Sequence, residues 1–377
     1  MKILQKYFGA EILRSVLFVM LALLALFSFF DLVNELQSSV NKGGYQLKHA
    51  VIYVLLGWPG RIYEFMPIAV LIGTIYVLAQ FASNSEFTIM RASSMSTMMV
   101  GHILLKIGMI FVLLTFLFGE ILSPVSSKFA EKMKLSAIGE SLEQEFRTGL
   151  WTKDLVRENG LTGDVIGSRF LNVKEIMPNR HLKGVKIFEF DKNFHLSHEM
   201  TAADAEYVGK NTWRLFDVIE TSFPKTLTSE DIAAVKSEKL ASRDVVSEVT
   251  PDILSVLFAD PDRMSATDLA AFTKHLADNK QDGERYEIAF WKKITYPFAT
   301  LVMMALALPF AYLHVRSGGV SLKIFSGIMI GMIFYLSNAL FSHVGLLNTW
   351  PALVTAVVPS ILFLIIAALG LRYVERN

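Results

Sequence analysis

Hydrophobic residues run for membrane-crossing lengths six times along this chain, at about 10–33, 50–82, 98–123, 294–314, 320–346 and 350–371. A helix needs roughly 20 apolar residues to cross the hydrocarbon core of a bilayer. Between the third and fourth stretches the pattern shortens. DVIGSRFLNVKEI, GVKIFEFD, HLSHEMTAADAEYVG and NTWRLFDVIETSF alternate in part, and Asp191-Lys192-Asn193 and Gly209-Lys210-Asn211 separate the last three as turns. Short strands at hairpin spacing predict a small sandwich or jelly roll. From Ser265 the run SATDLAAFTKHLADN opens with Ser265 and Asp268 in capping-box spacing and predicts a helix. The fold class expected is an α-helical polytopic membrane protein with six transmembrane helices and an inserted all-β, jelly-roll-like domain. Its divisions fall at 1–125, 126–264 and 265–377.

Two stretches carry polar interruptions. The second contains Trp58-Pro59-Gly60-Arg61 and Glu64, which predicts an interfacial turn with both charges near one membrane surface. Glu120 is expected to end the third helix, just before Ser123-Pro124. The basic head and the apolar run Ile12–Phe30, with no small-residue cleavage site after it, predict an uncleaved membrane helix rather than a signal peptide.

Composition supports a mixed protein. The 377 residues are 53% hydrophobic and 19% charged, with mean hydropathy +0.43, too apolar for a soluble chain and too charged for spans alone. Residues 126–285 hold 22 Lys/Arg against 27 Asp/Glu, and the remainder 14 against 8, an acidic insert on a basic body. In the short connections, nine Lys/Arg collect on the side of the N-terminus against five on the other. The positive-inside rule then places both termini in the cytoplasm and the insert outside.

Candidate chemistry is sparse. The absence of cysteine excludes disulfides, thiolate nucleophiles and zinc–thiolate sites. There is no G-x-x-x-x-G-K-[ST] loop for ATP, no H-E-x-x-H and no G-x-S-x-G. His195 and His198 point to opposite faces if they lie on one strand, so no metal site and no catalytic residue is expected. No span carries an ionisable residue at its middle, which disfavours an ion-coupled pump. Gly327 and Gly331 form G-x-x-x-G, either a close helix contact or a chance pair. QFASNSEFTIMRASSMS, residues 80–96, has Ser83 and Glu86 at capping-box spacing, Phe87 and Met90 on one face, and Arg91 following. Such a short helix suits either a groove on another protein or the membrane surface.

The same stretch, with GEILSP at 119–124, GLWTKD at 149–154 and RYEIAFWKKITYPF at 285–298, resembles the LptF/LptG lipopolysaccharide export permease family along the whole chain. The Trp151 segment and the stretch from Arg285 to Pro297 look more like its LptG branch. The resemblance implies a non-catalytic permease subunit of an ABC transporter in the inner membrane of a Gram-negative bacterium. It implies pairing with an LptF-like paralogue on an LptB-like ATPase dimer, and delivery of lipopolysaccharide through a periplasmic β-domain to an LptC-like partner. ATP and Mg would sit on the ATPase, with no cofactor on this chain, and no nucleic acid is expected. It also implies that the helix at about 83–95 docks in a groove of the ATPase through Glu86, Phe87, Met90 and Arg91.

The family's lysine cluster beyond the first helix is missing. That segment reads DLVNELQSSVNKGG, with Asp31 and Glu35 acidic and Lys42 the nearby base. Lys42, Lys48 and Arg61 are the substitutes by topology, and Lys42 and Arg61 are expected to meet lipid phosphate. Phe27 and Phe30 on the first helix and Ile324 and Ile328 on the fifth are expected to border the lipid. A membrane scaffold that transmits force without moving lipid is the alternative, and an intramembrane lipid-modifying enzyme a weaker one.

Overall fold

The computed structural model describes residues 2–39, 44–86, 89, 97–138, 149–177, 181–224, 235–256, 260–312 and 319–376. The described chain begins with α1 (Lys2–Ser39) and α2 (Leu47–Ser83). Next comes α3 (Thr97–Phe116), which passes through a π-helical segment (Leu117–Leu122) into α4 (Ser123–Ile138). Six strands follow: β1 (Leu150–Asn159), β2 (Thr162–Met177), β3 (His181–Asp191), β4 (Leu196–Gly209), β5 (Thr212–Ser222) and β6 (Lys236–Val246). The chain closes with α5 (Pro251–Val256), α6 (Ala266–Asp278), α7 (Glu284–Thr295), α8 (Ala299–Ala307), α9 (Val320–Leu347) and α10 (Ala352–Arg376). Among the described residues, six helical segments are long and apolar enough to cross a membrane: Lys6–Ser38, Leu47–Ser83, Thr97–Ile138, Glu284–Ala311, Val320–Leu347 and Ala352–Val374.

Helix α2 is the axis of the bundle. It is apolar all round, as a helix surrounded by other helices must be, and 78% of its most hydrophobic window is buried, against 17% for α1 and for α9. Helix α1 lies on it through a stripe at four-residue spacing, Phe8, Ile12, Val16, Met20 and Leu24, all buried. The crossing is close. A Cβ on Gly73 of α2 would stand 2.8 Å from Val16 Cγ2, so a larger residue there would push the helices apart. On the far side of α2, Gly327 and Gly331 of α9 face Ile75 and Ile68, where an added Cβ would come within 2.8 and 3.0 Å. The G-x-x-x-G pair is therefore an intramolecular helix contact, the close approach that small residues permit in a bilayer.

Two sequence expectations give way here. The second span is not broken at Trp58–Arg61: α2 runs unbroken through Pro59 and Pro67. Proline is tolerated in a membrane helix when neighbouring helices hold the segment. Here Trp58 Nε1 donates to Ser28 Oγ at 2.8 Å and Arg61 binds Asp31, both on α1. Nor does Ser123-Pro124 end the third span. The π-helical turn, in which the Ser123 N–H donates to the Phe118 carbonyl, carries the helix through Pro124 to Ile138. An i→i+5 turn relieves the clash of the proline ring with the preceding turn. The expected boundary at 126 thus falls inside α4.

Among the described residues the inserted domain holds a six-stranded antiparallel sheet in the order β1-β2-β3-β4-β5-β6. Each described strand pairs with the next, so the sheet is a meander. Both expected turns join its strands: the Asp191 carboxylate accepts the N–H groups of Asn193 and His195, and Gly209, Lys210 and Asn211 adopt positive φ. Strands β1 and β6 were not among the alternating runs read from the sequence. The burial of β6 is slight, with Leu240 half-buried and Val245 buried, so it has little hydrophobic pattern to betray it. One face carries the core, including Leu171, Ile187, Met200, Trp213 and Leu215. The indole of Trp213 donates to the Val249 carbonyl at 2.7 Å. Helix α6 begins as expected, with Ser265 Oγ accepting the Asp268 N–H.

Candidate functional site: a charged cavity where the β-domain joins the bundle

A cavity of about 620 Å³ lies where the chain leaves the bundle for the sheet and returns from it. Its walls come from α1 (Asp31, Glu35), α2 (Arg61, Glu64), α4 (Ser127, Ala130), the turn at Asp260–Arg263, α7 (Lys292, Lys293) and α9 (Tyr335, His343). It is lined by charge, although the helices that form it are mostly apolar.

Most of that charge is matched in place. Arg61 Nη2 lies 2.6 Å from Asp31 Oδ1, and its Nη1 lies 2.9 Å from Glu64 Oε2. Glu64 continues the chain of contacts. Its other carboxylate oxygen accepts from Tyr335 of α9 at 3.0 Å, and its backbone carbonyl accepts from Tyr296 at 2.5 Å. One acid–base string thus joins α1, α2, α9 and the turn after α7. Buried Glu35 pairs with Lys134 of α4 at 2.9 Å, and the Lys134 ammonium rests 4.8 Å from the Tyr53 ring. Asp260 faces Arg285 at 3.8 Å, and Asp262 faces Lys292 at 3.6 Å.

The β-domain is tied to this region by α6. Both carboxylate oxygens of Glu120, in the π-helical turn, accept the Ala266 N–H at 2.9 and 3.0 Å. A carboxylate at a helix N-terminus satisfies an orphan donor and opposes the helix dipole. Lys128 of α4 adds an ion pair to Asp268 at 2.8 Å. Glu120 therefore anchors the returning chain. On the other side of α6, a buried polar cluster joins the helix to the sheet. Asp154 accepts from Ser247 Oγ at 2.6 Å and lies 3.5 Å from Arg169, while His275 Nδ1 lies 3.9 Å from Glu248. Burial holds the Asp154 carboxyl above its usual range, against the lowering pull of Ser247 and Arg169. Burial likewise pushes His275 below the usual imidazole value, against the raising pull of Asp154 and Glu248.

Of the residues expected to meet lipid, Arg61 lines the cavity, but its charge is shared by two carboxylates. Phe27 is half-buried against Phe65, with centroids 4.4 Å apart. Phe30 and Ile328 are exposed on the surfaces of α1 and α9, and Ile324 is half-buried. Lys42 lies outside the described residues, as do Phe87, Met90 and Arg91. Glu86 is described, and it is not part of a Ser83 capping box. Ser83 still belongs to α2, and its Oγ donates back to the Gln80 carbonyl at 2.9 Å. Helical bonding resumes from the Ser85 carbonyl, which accepts the Ile89 N–H. The Glu86 carboxylate instead accepts from Tyr7 of α1 at 3.2 Å.

The cavity residues that sequence reasoning missed are Arg263, Arg285, Lys292 and Lys293. The signal for Arg285, Lys292 and Lys293 was the stretch at the entry to the fourth span, read as a family motif and, for the two lysines, an orientation count but not as a site; Arg263 lies outside it. His195 and His198 are exposed, next to Asp191 and Glu189 respectively. Among the described residues no group of three or more His, Asp or Glu is placed to hold a metal.

Six membrane-length helical segments among the described residues, with a β-domain inserted between the third and fourth and a charged cavity at its junction with the bundle, define a polytopic membrane protein. The chain belongs to the lipopolysaccharide export system permease family LptF/LptG, whose description matches residues 6–373. It is 28% identical over 368 residues to the lipopolysaccharide export system permease protein LptG of Escherichia coli K12, covering 97% of this chain and 96% of that one. It is also 28% identical over 367 residues to the LptG of Haemophilus influenzae, covering 96% of each. The chain is thus a lipopolysaccharide export permease of the inner membrane.

Proposed function

We propose that this chain is the LptG-like half of a heterodimeric permease that lifts lipopolysaccharide out of the inner membrane. Its paralogous partner is LptF-like. An LptB-like ATPase dimer supplies the energy and binds the ATP and Mg, and an LptC-like protein receives the lipid beyond the β-domain. Both termini are cytoplasmic and the sheet is periplasmic in this reading.

One observation carries it. Helices α1 and α9 each place exposed apolar residues directly beside polar residues of the cavity: Phe30 precedes Asp31, and Leu336 follows Tyr335. A charged pocket edged by apolar helix faces suits an amphiphile with a polar headgroup and several acyl chains. Phe30 and Ile328 are surfaces for the chains, with Phe27 and Ile324 packed behind them. At the opposite end of α2, Glu86 with Phe87, Met90 and Arg91 forms the contact to the ATPase.

The test is a photo-crosslinking residue at Phe30 and at Ile328 in living cells. Both should trap lipopolysaccharide. Silence at both, with strong capture at exposed Ile365 on α10, would place the lipid path elsewhere.

A further inference from the structure

We infer that Lys293, and not Arg61, is the side chain of this cavity that recognises an anionic ligand group, and that the group is a phosphate monoester. The inference rests on the cavity being the lipid headgroup site, and it adds which residue reads the headgroup and by what chemistry.

The argument begins with the charge that is left over. The described cavity wall holds five acids, Asp31, Glu35, Glu64, Asp260 and Asp262. Each has a base within 4.0 Å: Arg61 serves two of them, and Lys134, Arg285 and Lys292 serve the others. Arg61 has spent its charge twice and can take up an external anion only by releasing Asp31 or Glu64.

Lys293 is different. It is 4% exposed, and among the described residues no carboxylate oxygen lies within ion-pair distance of it. Its Nζ donates to the Asp262 carbonyl at 3.3 Å and stands 4.8 Å from the centroid of the Tyr63 ring. Glu120 and Asp262 attract it only from beyond 4.0 Å, and both Glu120 oxygens are engaged by the Ala266 N–H. A buried ammonium with one carbonyl and one ring face keeps unused donors toward the cavity, and a buried charge is costly until paired. Arg263, exposed on the facing turn, is the other cavity cation without a carboxylate partner at ion-pair distance among the described residues. Arg263 directly follows Asp262, whose carbonyl Lys293 holds, and a dianionic phosphate monoester matches two such cations better than a carboxylate does, because it offers three oxygens in a tetrahedron.

The experiment uses the whole transporter, purified with the proteins that accompany it and placed in nanodiscs of phosphatidylethanolamine. The probes are lipid A with two phosphates, its monophosphoryl form and inorganic phosphate. Wild type should prefer the bisphosphorylated lipid. Lys293→Gln should weaken its capture about tenfold, the worth of one charge-assisted contact, and should erase the preference. Lys293→Arg should keep the preference, and Arg61→Gln should change it less than Lys293→Gln does. Thermal midpoints of all variants, with Lys292→Gln as neighbour control, report folding. If Lys293→Gln unfolds the protein, the preference in Lys293→Arg and its persistence in Arg61→Gln decide the matter. An undiminished preference in a folded Lys293→Gln would overturn the assignment of Lys293 while leaving the lipid reading intact. Wild type that captures neither lipid would overturn the lipid reading itself. Displacement of the lipid by millimolar inorganic phosphate would show a free-anion site and overturn the headgroup assignment.

Discussion

Asp31 on α1 holds Arg61 on α2 in a two-pronged contact, Oδ1 to Nη2 at 2.6 Å and Oδ2 to Nε at 3.0 Å. Helix α1 meets α2 through an apolar stripe, and at the cavity end this fork acts with the Trp58–Ser28 hydrogen bond to fix the rotation of α1. Both side chains are less than one-third exposed, so stranding either charge has a cost. Asp31→Asn should lower stability by about 1–2 kcal/mol. Combined with Arg61→Gln, the loss should be smaller than the sum of the two. Thermal unfolding of the four proteins in detergent measures the coupling, and strict additivity would show that the pair does not act as a unit.

The α9 glycines should tolerate no bulk. Gly331→Val would drive a side chain into Ile68, and Gly327→Val into Ile75, at an overpacking cost of about 1–3 kcal/mol each. Ile75→Ala should restore much of the stability lost in Gly327→Val and none of that lost in Gly331→Val. That crossed pattern of rescue, read from melting midpoints, separates specific contact from a general aversion to bulk in α9.

Glu86 has an internal partner as well as a proposed external one. Tyr7→Phe keeps the ring stacked on Phe81, with centroids 5.3 Å apart, and removes the hydroxyl that reaches Glu86. It should leave the ATPase complex intact. Glu86→Ala should weaken that complex by about 1–3 kcal/mol, and Phe87→Ala by roughly 2 kcal/mol, if these side chains seat in a groove. Co-purification of the ATPase with each variant is the measurement. Equal loss in Tyr7→Phe and Glu86→Ala would assign Glu86 to holding α1 instead.

The junction of α6 with the sheet should loosen in acid. His275 takes up a proton less readily folded than unfolded, because burial disfavours its charged form. The unfolded chain therefore binds more protons, and the His275 contribution is lost as pH falls from about 6.5, the ordinary imidazole value. Asp154 works in the opposite direction: its raised pKa favours the folded state in acid and stops doing so as pH rises through the raised value. The protection factors of α6 amides, with the intrinsic base-catalysed exchange rate at each pH divided out, should fall between pH 7.5 and 5.5 in wild type, and less so in His275→Gln. An equal change in both would trace the effect to other groups.

Much of this architecture was legible in the chain. Six spans, the position of the β-insert, its hairpin turns and the Ser265 cap all come from local pattern: runs long enough to cross a bilayer, alternation, and residues whose own backbone bonding marks a turn or a helix start. Where a local rule failed, a distant contact outweighed it. Pro59 breaks helices in isolation, yet α2 runs through it because Trp58 and Arg61 are held by α1. Ser83 and Glu86 have the spacing of a cap, yet one hydroxyl turns back to Gln80 and the carboxylate reaches Tyr7, 79 residues away.

The sequence by itself determined the membrane body, the inserted domain and the family, since these depend on composition and on order along the chain. Only the tertiary structure decided what the charges do. Asp31, Arg61, Glu64 and Lys293 come from three separate spans, and nothing in their spacing says that the first three neutralise one another while the fourth faces the cavity with no carboxylate at ion-pair distance among the described residues. Electrostatic pairing depends on distances between elements, and helix packing alone sets those distances.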